Sequence, residues 1–374
     1  MSCNQDEYAK GHLPFEYAPS DPASASNTVS PYLILSNSPE KITSAMLPGT
    51  LYKCVIPVST TQQRIRLYLW HLNDSGGDVH VSVVVSVDSG SATISNVKRQ
   101  ATPPPNSGIF EQGICLAEAQ LYGALDPDGT GTTIGTNETI LRSYTVAAGK
   151  VLGVVLEFDI AASAICSLKF RTGVGTGTGV PGSWGDEVLP RDVVPFHPRG
   201  WWPYSAIDVV CGTFDITPNE GSTYHQTLCC KKDGVEQAKF AKQLSDEFGS
   251  DNRGEYGVDL SYTVVITCQN ASSGTLFAYI LALHTNVTPT PTPYFGAASI
   301  SAWVDRPDRG VPPISWSNPD GSDQNLNIIN LTQDGALTVT QSEPKTLIIR
   351  LSNGGAATMP FMLFLSKISL NIQP

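Results

Sequence analysis

The feature that most constrains this chain is a strict alternation of apolar and polar residues, which recurs in four places as two alternating runs joined by a short turn. In the first, Ile65, Leu67 and Leu69 share a face, Asn73-Asp74-Ser75-Gly76-Gly77 turns the chain, and Val79, Val81, Val83, Val85 and Val87 return it. In the second, Leu152, Val154, Leu156, Phe158 and Ile160 lead through Ala161-Ala162-Ser163 to Ala164, Cys166, Leu168 and Phe170. The third runs Tyr262, Val264, Ile266 and Cys268, turns at Asn270-Ala271-Ser272-Ser273-Gly274, and returns through Phe277, Tyr279, Leu281 and Leu283. The fourth runs Leu347, Ile349 and Leu351, turns at Asn353-Gly354-Gly355, and returns through Met359, Phe361, Leu363 and Leu365. A period of two puts each apolar set on one face of a strand, so each unit reads as a β-hairpin with one face for a core.

The spacing of the units implies a repeat. Asn73 and Asn270 lie 197 residues apart, and Leu152 and Leu347 lie 195 apart. The approaches match as well: Tyr144-Thr145-Val146 then Lys150 in one half, Leu337-Thr338-Val339 then Lys345 in the other. The expected architecture is all-β, two tandem antiparallel β-sandwiches of jelly-roll type. Its parts are an extended N-terminal arm (1–30), domain 1 (31–190), an aromatic and proline linker (191–204) and domain 2 (205–374). Composition agrees, since only 15% of residues are charged, against about 25% in an average domain, while 33 glycines and 27 prolines supply turns. One segment breaks the pattern. Val235, Ala238, Ala241, Leu244 and Phe248 recur at helical spacing between Asp233 and Gly249, which predicts one short helix inserted in domain 2. The Thr-Pro run from Thr285 to Pro293 predicts an extended polyproline-like loop.

Charge narrows the partners. With 23 Lys+Arg against 34 Asp+Glu the net charge is −11, and the densest basic segments are the pairs Lys98-Arg99 and Lys231-Lys232, so nucleic acid is excluded as a partner. No run reaches the roughly 18 apolar residues of a membrane-spanning helix, and Met1 to Glu7 lacks the basic start and apolar stretch of a secretory signal. The expectation is synthesis in a cytoplasm without a signal peptide, with no membrane insertion.

Chemistry-bearing motifs are few. Asp126-Pro127-Asp128-Gly129-Thr130-Gly131 spaces its carboxylates and glycine like the start of a calcium loop, but position twelve is Asn137 and the same residues suit an ordinary turn. Asp126 and Asp128 are therefore a weak calcium candidate, and no other metal or cofactor is expected. Glu157 and Asp159 share a strand face at a separation glycosidase carboxylates can have, and they also fit the polar face of a strand. The six histidines, His12, His71, His80, His197, His225 and His284, show no metal-ligand spacing, and no nucleophile elbow or dinucleotide fingerprint occurs. The chain is therefore read as no enzyme. Eight cysteines include no Cys-x-x-Cys, which argues against structural zinc. Most read as small buried apolar residues, while Cys3, Cys229 and Cys230 are candidates for crosslinks between subunits. The rigid aromatic segment containing Trp201, Trp202 and Tyr204 is the binding candidate, suited either to stacking on sugars or to packing where two domains join.

The paired runs turning at Asn73, Ala161, Asn270 and Asn353 cover most of residues 31–374, and at the level of architecture the chain resembles two groups of structural proteins. These are the duplicated jelly-roll subunits of virus and phage particles and the β-sandwich subunits of bacterial surface filaments. The resemblance implies self-assembly, with arms and exposed strand edges of one subunit completing the sheets of the next. The expected function is a non-enzymatic structural subunit of a virion, phage particle or extracellular filament, whose partners are copies of itself, other particle proteins or glycans. The alternative is a carbohydrate-binding adhesin or receptor-binding module using exposed aromatics.

Overall fold

The structure, a computed structural model, describes residues 9–11, 24–27, 31–101, 109–121, 125–129, 131–177, 184–192, 197, 199–202, 205–215, 223–227, 252, 256–268, 273–282, 299–305, 314–317, 326–330, 337–340, 344–353 and 361–366. Within the N-terminal half the strands are β1 (Ala9–Gly11), β2 (Ser24–Asn27), β3 (Tyr32–Ser36), β4 (Lys41–Thr43), β5 (Gly49–Val58), β6 (Gln63–Asp74), β7 (Val79–Val87), β8 (Ala92–Ala101), β9 (Asp126–Pro127), β10 (Thr132–Ile134), β11 (Thr139–Val146), β12 (Val151–Ala162) and β13 (Cys166–Gly175), with helix α1 (Ile109–Leu121) after β8. There follow β14 (Arg199–Trp202), β15 (Ala206–Asp215), β16 (Thr223–Thr227), β17 (Asp259–Thr267), β18 (Ser273–Ala282), β19 (Ser299–Asp305), β20 (Ile314–Ser317), β21 (Leu326–Asn330), β22 (Leu337–Thr340), β23 (Lys345–Asn353) and β24 (Phe361–Ser366).

In the first half, sheet I contains the order β6-β12-β8-β10 and sheet II the order β5-β13-β7-β11. Numbered one to eight along the chain, these strands read 2-7-4-5 and 1-8-3-6, the interlocked arrangement of a jelly roll. The second half repeats it: β17-β23-β19-β20 in sheet III and β16-β24-β18-β21 in sheet IV, with β22 also beside β18. Each half adds parallel pairing to its second strand, β3 and β4 on β6 and β15 on β17.

This topology changes the reading of the four paired runs. The two strands of each run lie in opposite sheets: β6 in I and β7 in II, β12 in I and β13 in II, and likewise β17 and β18, β23 and β24. They are corners across a sandwich, not hairpins. Alternation gives one apolar face per strand in either case, but here the two faces meet across the core instead of lying side by side. Ile65, Leu67 and Leu69 of β6 share one buried cluster with Val79, Val81, Val83, Val85 and Val87 of β7 and with Leu152, Val154, Leu156, Phe158 and Ile160 of β12.

Strand pairing also sets the repeat. Ile65 pairs with Phe158 where Leu260 pairs with Leu351, and Tyr144 pairs with Val81 where Leu337 pairs with Leu276. Both ladders are displaced by the same amount between the halves, 388 residues for the two strands together or 194 per strand on average. One face differs from expectation. On β18 the buried residues are Leu276 and Ala278, both 0% exposed, while Phe277 is half-buried. Leu276 and Ala278 stand where Val81 and Val83 stand in the first half.

The halves are joined by a two-stranded ribbon. β14 runs antiparallel to β3, from Arg199 opposite Ser36 to Trp202 opposite Leu33. β15 runs antiparallel to β2, from Ile207 opposite Asn27 to Val210 opposite Ser24. Since β2 leads into β3 and β14 into β15, the same two segments pair on both sides of the joint with the register displaced by one residue. The segment expected to be an extended arm contributes strands: β2 on sheet III, and β1 against β21 at the edge of sheet IV. The helix expected between Val235 and Phe248, and the Thr-Pro run, lie outside the described residues. α1 packs instead against β8 and β12 of the first half and β19, β20 and β23 of the second. No helix among the described residues is long and apolar enough to cross a membrane.

Candidate functional site

Along β6 the residues between the core positions face away from sheet II: Arg64, Arg66, Tyr68 and Trp70. Tyr68 and Trp70 are nevertheless buried, as are Leu33, Leu35 and Val155 on neighbouring strands of sheet I. An apolar sheet buried on both faces needs a second layer, and the second half and α1 supply it. Tyr68 stacks on Tyr256 with ring centroids 5.9 Å apart. Asn252 fixes the turn that presents Tyr256, its Nδ2 donating to the Tyr256 carbonyl at 3.0 Å and its Oδ1 accepting from the Tyr256 amide at 3.1 Å.

At the centre of this layer is Arg66. Its Nη2 lies 2.6 Å from Glu157 Oε1 and 2.9 Å from Asp259 Oδ2, and its Nη1 donates to the Gly257 carbonyl at 2.9 Å. Gln120 of α1 donates to the other oxygen of Asp259 at 2.8 Å. A guanidinium with five donors can join carboxylates and a carbonyl from two further chain segments at once, which an ammonium cannot do in one plane. The two halves and the helix therefore meet on one buried cation.

The carboxylates considered for glycosidase chemistry are committed to this frame. Glu157 stands opposite Arg66 and Asp159 opposite Arg64 in the β6–β12 ladder. Asp159 accepts from Arg64 Nε, Gln62 Nε2 and Asn96 Nδ2, each at 2.7 Å. Burial pushes its pKa up, but the hydrogen bonds from Arg64 and Asn96 outweigh that and hold it below the ordinary carboxylate range. A general acid needs the opposite shift.

The aromatic candidates are placed on β14, where Trp201 and Trp202 face opposite sides of the strand. Trp201, 5% exposed, enters the core of the first sandwich and meets Tyr32 edge-on at 5.7 Å. Trp202 is 0% exposed. Neither ring offers a face to a sugar, which corrects the platform reading for this pair; both bury large apolar area at the root of the ribbon. Tyr204 lies outside the described residues.

The weak calcium candidate is also corrected. Asp126 is exposed, and Asp128 is paired with Arg142 Nε and, at 3.2 Å, with Arg99 Nε. Two guanidiniums occupy the carboxylate a cation would need. Among the described residues no three His, Cys, Asp or Glu side chains gather as a metal site. Cys3, Cys229 and Cys230 lie outside the described residues. Cys54, Cys166 and Cys268 are buried and not disulfide-bonded, whereas Cys115 of α1 is disulfide-bonded.

A second polar cluster ties β14 to the first sandwich. His197 Nε2 lies 2.7 Å from Glu40 and Nδ1 2.8 Å from Asp192, while Arg199 Nη1 donates to the carbonyls of Ser38, Leu51 and Leu189. Below it His71 is buried, with Nδ1 2.8 Å from the Pro39 carbonyl and Nε2 3.2 Å from Ser36 Oγ. Sequence spacing gave no sign of either cluster, because each draws on segments far apart in the chain, 91 residues between Arg66 and Glu157 and 161 between Ser38 and Arg199.

No family model matches the chain, and no curated protein matches it. Among solved structures it is similar to the CUB1-EGF-CUB2 domain of human MASP-1/3, at 7% identity over 84% of this chain and 99% of that one, with a TM-score of 0.19. Another is the CBM22-1-CBM22-2 tandem domain of Xyn10C from Paenibacillus barcinonensis, at 9% identity over 95% and 93%, TM-score 0.15. A third is the T=1 Penaeus vannamei nodavirus, at 12% identity over 93% and 98%, TM-score 0.15. TM-scores this low carry no argument about function.

Proposed function

We propose that the chain is a non-enzymatic structural subunit that assembles with copies of itself into a virion, a phage particle or an extracellular filament. The observation that supports this reading best is the placement of the N-terminal strands. β1 and β2 come from the first 27 residues yet lie on the edges of both sheets of the second sandwich, each through a short antiparallel pairing. Strands that add to a sheet edge by main-chain hydrogen bonds can leave one copy and complete the same edge of another with the same contacts, which is the low-cost route of strand exchange. The rest of the molecule suits a building block: two jelly rolls locked by Arg66 and by a ribbon.

The test is assembly of the purified chain, followed by size exclusion and negative-stain microscopy. Regular large objects are expected, and their loss on removal of residues 1–30, with the first sandwich still folded by circular dichroism. In parallel, Ala25→Cys combined with Val209→Cys places thiols at paired positions of β2 and β15. Oxidised assemblies should give covalent multimers beyond those of the unmodified chain if β2 crosses between copies. A chain that stays monomeric at every concentration and salt tried would sink the proposal.

A further inference from the structure

The strands added at the edges of the two halves correspond in part. Outside the parallel strand, β14 covers β3 in the first half and β2 covers β15 in the second. Outside the sixth strand of the jelly roll, β1 covers β21 in the second half. In the first half the sixth strand is β11, and among the described residues its ladder is with β7 alone.

The two edges of sheet II are treated differently by the chain. At β5, residues 184–189 lie alongside: Thr50 bridges Val188, the Leu189 amide donates to the Thr50 carbonyl at 2.8 Å, and Lys53 Nζ donates to the Asp186 carbonyl at 2.7 Å. Pro57 on β5 further discourages pairing there. β11 has neither device. Its sequence, Thr-Ile-Leu-Arg-Ser-Tyr-Thr-Val, is rich in β-branched and aromatic residues, and Ile140 is 41% exposed. Its only charged residue, Arg142, is drawn onto Asp128 and so does not guard the edge.

We infer that the outer edge of β11 accepts residues 9–11 of a second copy of this chain, pairing there as β1 pairs with β21. This rests on the self-assembly reading above. The donor is argued from the repeat, because β1 already adds, through β21, to the edge of the other sandwich along which β22, the counterpart of β11, also lies. It is also argued from reach, because the 12 residues between β1 and β2 span up to about 40 Å when extended. The contact is heterologous, donor strand to acceptor edge, so it propagates from copy to copy and closes only if the geometry returns on itself.

The test uses the full chain with Ile140→Lys, which sets a charge on an already exposed edge position and so spares the core. Thermal melting of the dissociated subunit checks that the fold is kept. Hydrogen exchange is then read for the amides of residues 139–146 in dissociated and assembled wild-type chain. Slowing of those amides by tenfold or more on assembly, together with loss of assembly in Ile140→Lys, is the expected result. If the wild type assembles but these amides exchange at an unchanged rate, or Ile140→Lys assembles as well as the wild type, the β11 inference is overturned while the structural-subunit reading stands. If the wild type never assembles, both fall.

Discussion

Arg66 Nη2 lies 2.9 Å from Asp259 Oδ2, a contact that ties the outer face of one sandwich to the first residue of a core strand in the other. The joint is asymmetric in its solvent access. The Arg66 side chain is 6% exposed and that of Glu157 13%, whereas that of Asp259 is 37% exposed. Removing the cation therefore leaves a buried carboxylate without its partner, while removing the Asp259 charge leaves Arg66 still held by Glu157 and by the Gly257 carbonyl.

Arg66→Ala is expected to cost about 3–5 kcal/mol, the range for breaking a buried ion pair from one side, and Asp259→Asn under about 1 kcal/mol because water already screens it. Urea unfolding of both variants measures the difference. Equal losses would mean that the joint does not depend on Arg66 as its centre.

Trp202→Ala should cost about 3–5 kcal/mol, the range for deleting a buried indole, since the ring is fully enclosed at the start of the ribbon. A loss of that size is a large share of a typical domain's stability and would be seen as a lower unfolding midpoint. A Trp202→Ala chain as stable as wild type would instead place the ring outside the packed interior.

Two histidines give the stability a defined pH profile. Burial alone would lower the pKa of His197, but hydrogen bonds and charge from Asp192 and Glu40 outweigh it and raise the value from 6.5 to about 9. A raised pKa stabilises the charged folded form, so this contribution is complete below 6.5 and is lost as pH climbs through about 9. His71 runs the other way. Burial lowers it from 6.5 to about 4, only partly offset by the Pro39 carbonyl, so its contribution is complete above 6.5 and lost as pH falls through about 4. Melting temperature should peak near pH 6.5. His197→Gln should remove roughly 1–3 kcal/mol at that pH and flatten the alkaline limb while leaving the acid limb in place. An alkaline limb unchanged in His197→Gln would assign it to other groups.

What could be read from the sequence follows from periods. Alternation identified the apolar faces of β6, β7, β12 and β13, because sandwich strands buried on one side obey a period of two regardless of their partners. The same period hid two things. A slip of two residues leaves every face unchanged, so alternation alone does not fix which residues of the two halves correspond. It also cannot tell neighbours within a sheet from partners across a sandwich, hence corners read as hairpins. On β18 the larger Phe277 outweighed Leu276 and Ala278, although volume is no guide to which face is inward. Helix α1 escaped notice because its buried stripe includes Gln112, Gly113 and Gln120, which dilute the apolar signal. The Arg66 centre was illegible for another reason. It joins residues 66, 120, 157 and 259, and no spacing rule links positions so far apart.

Gly257 offers the sharpest test of how closely the sandwiches approach. Its φ is +72°, in the left-handed region, and a Cβ there would lie 2.9 Å from Leu33 Cδ1 and 3.3 Å from Tyr68 Cβ. Gly257→Ala therefore meets two separate penalties, about 1–2 kcal/mol of backbone strain and a steric clash with the sheet I layer. Leu33→Ala removes the clashing methyl but not the strain, and by itself leaves a cavity costing about 2–5 kcal/mol. Combining them should cost less than the sum of the single variants by at least about 0.5 kcal/mol, because the added methyl enters the space that Leu33 vacates. Strict additivity in a urea-denaturation double-mutant cycle would mean that residues 33 and 257 do not touch, and the close joint described for the two sandwiches would be wrong.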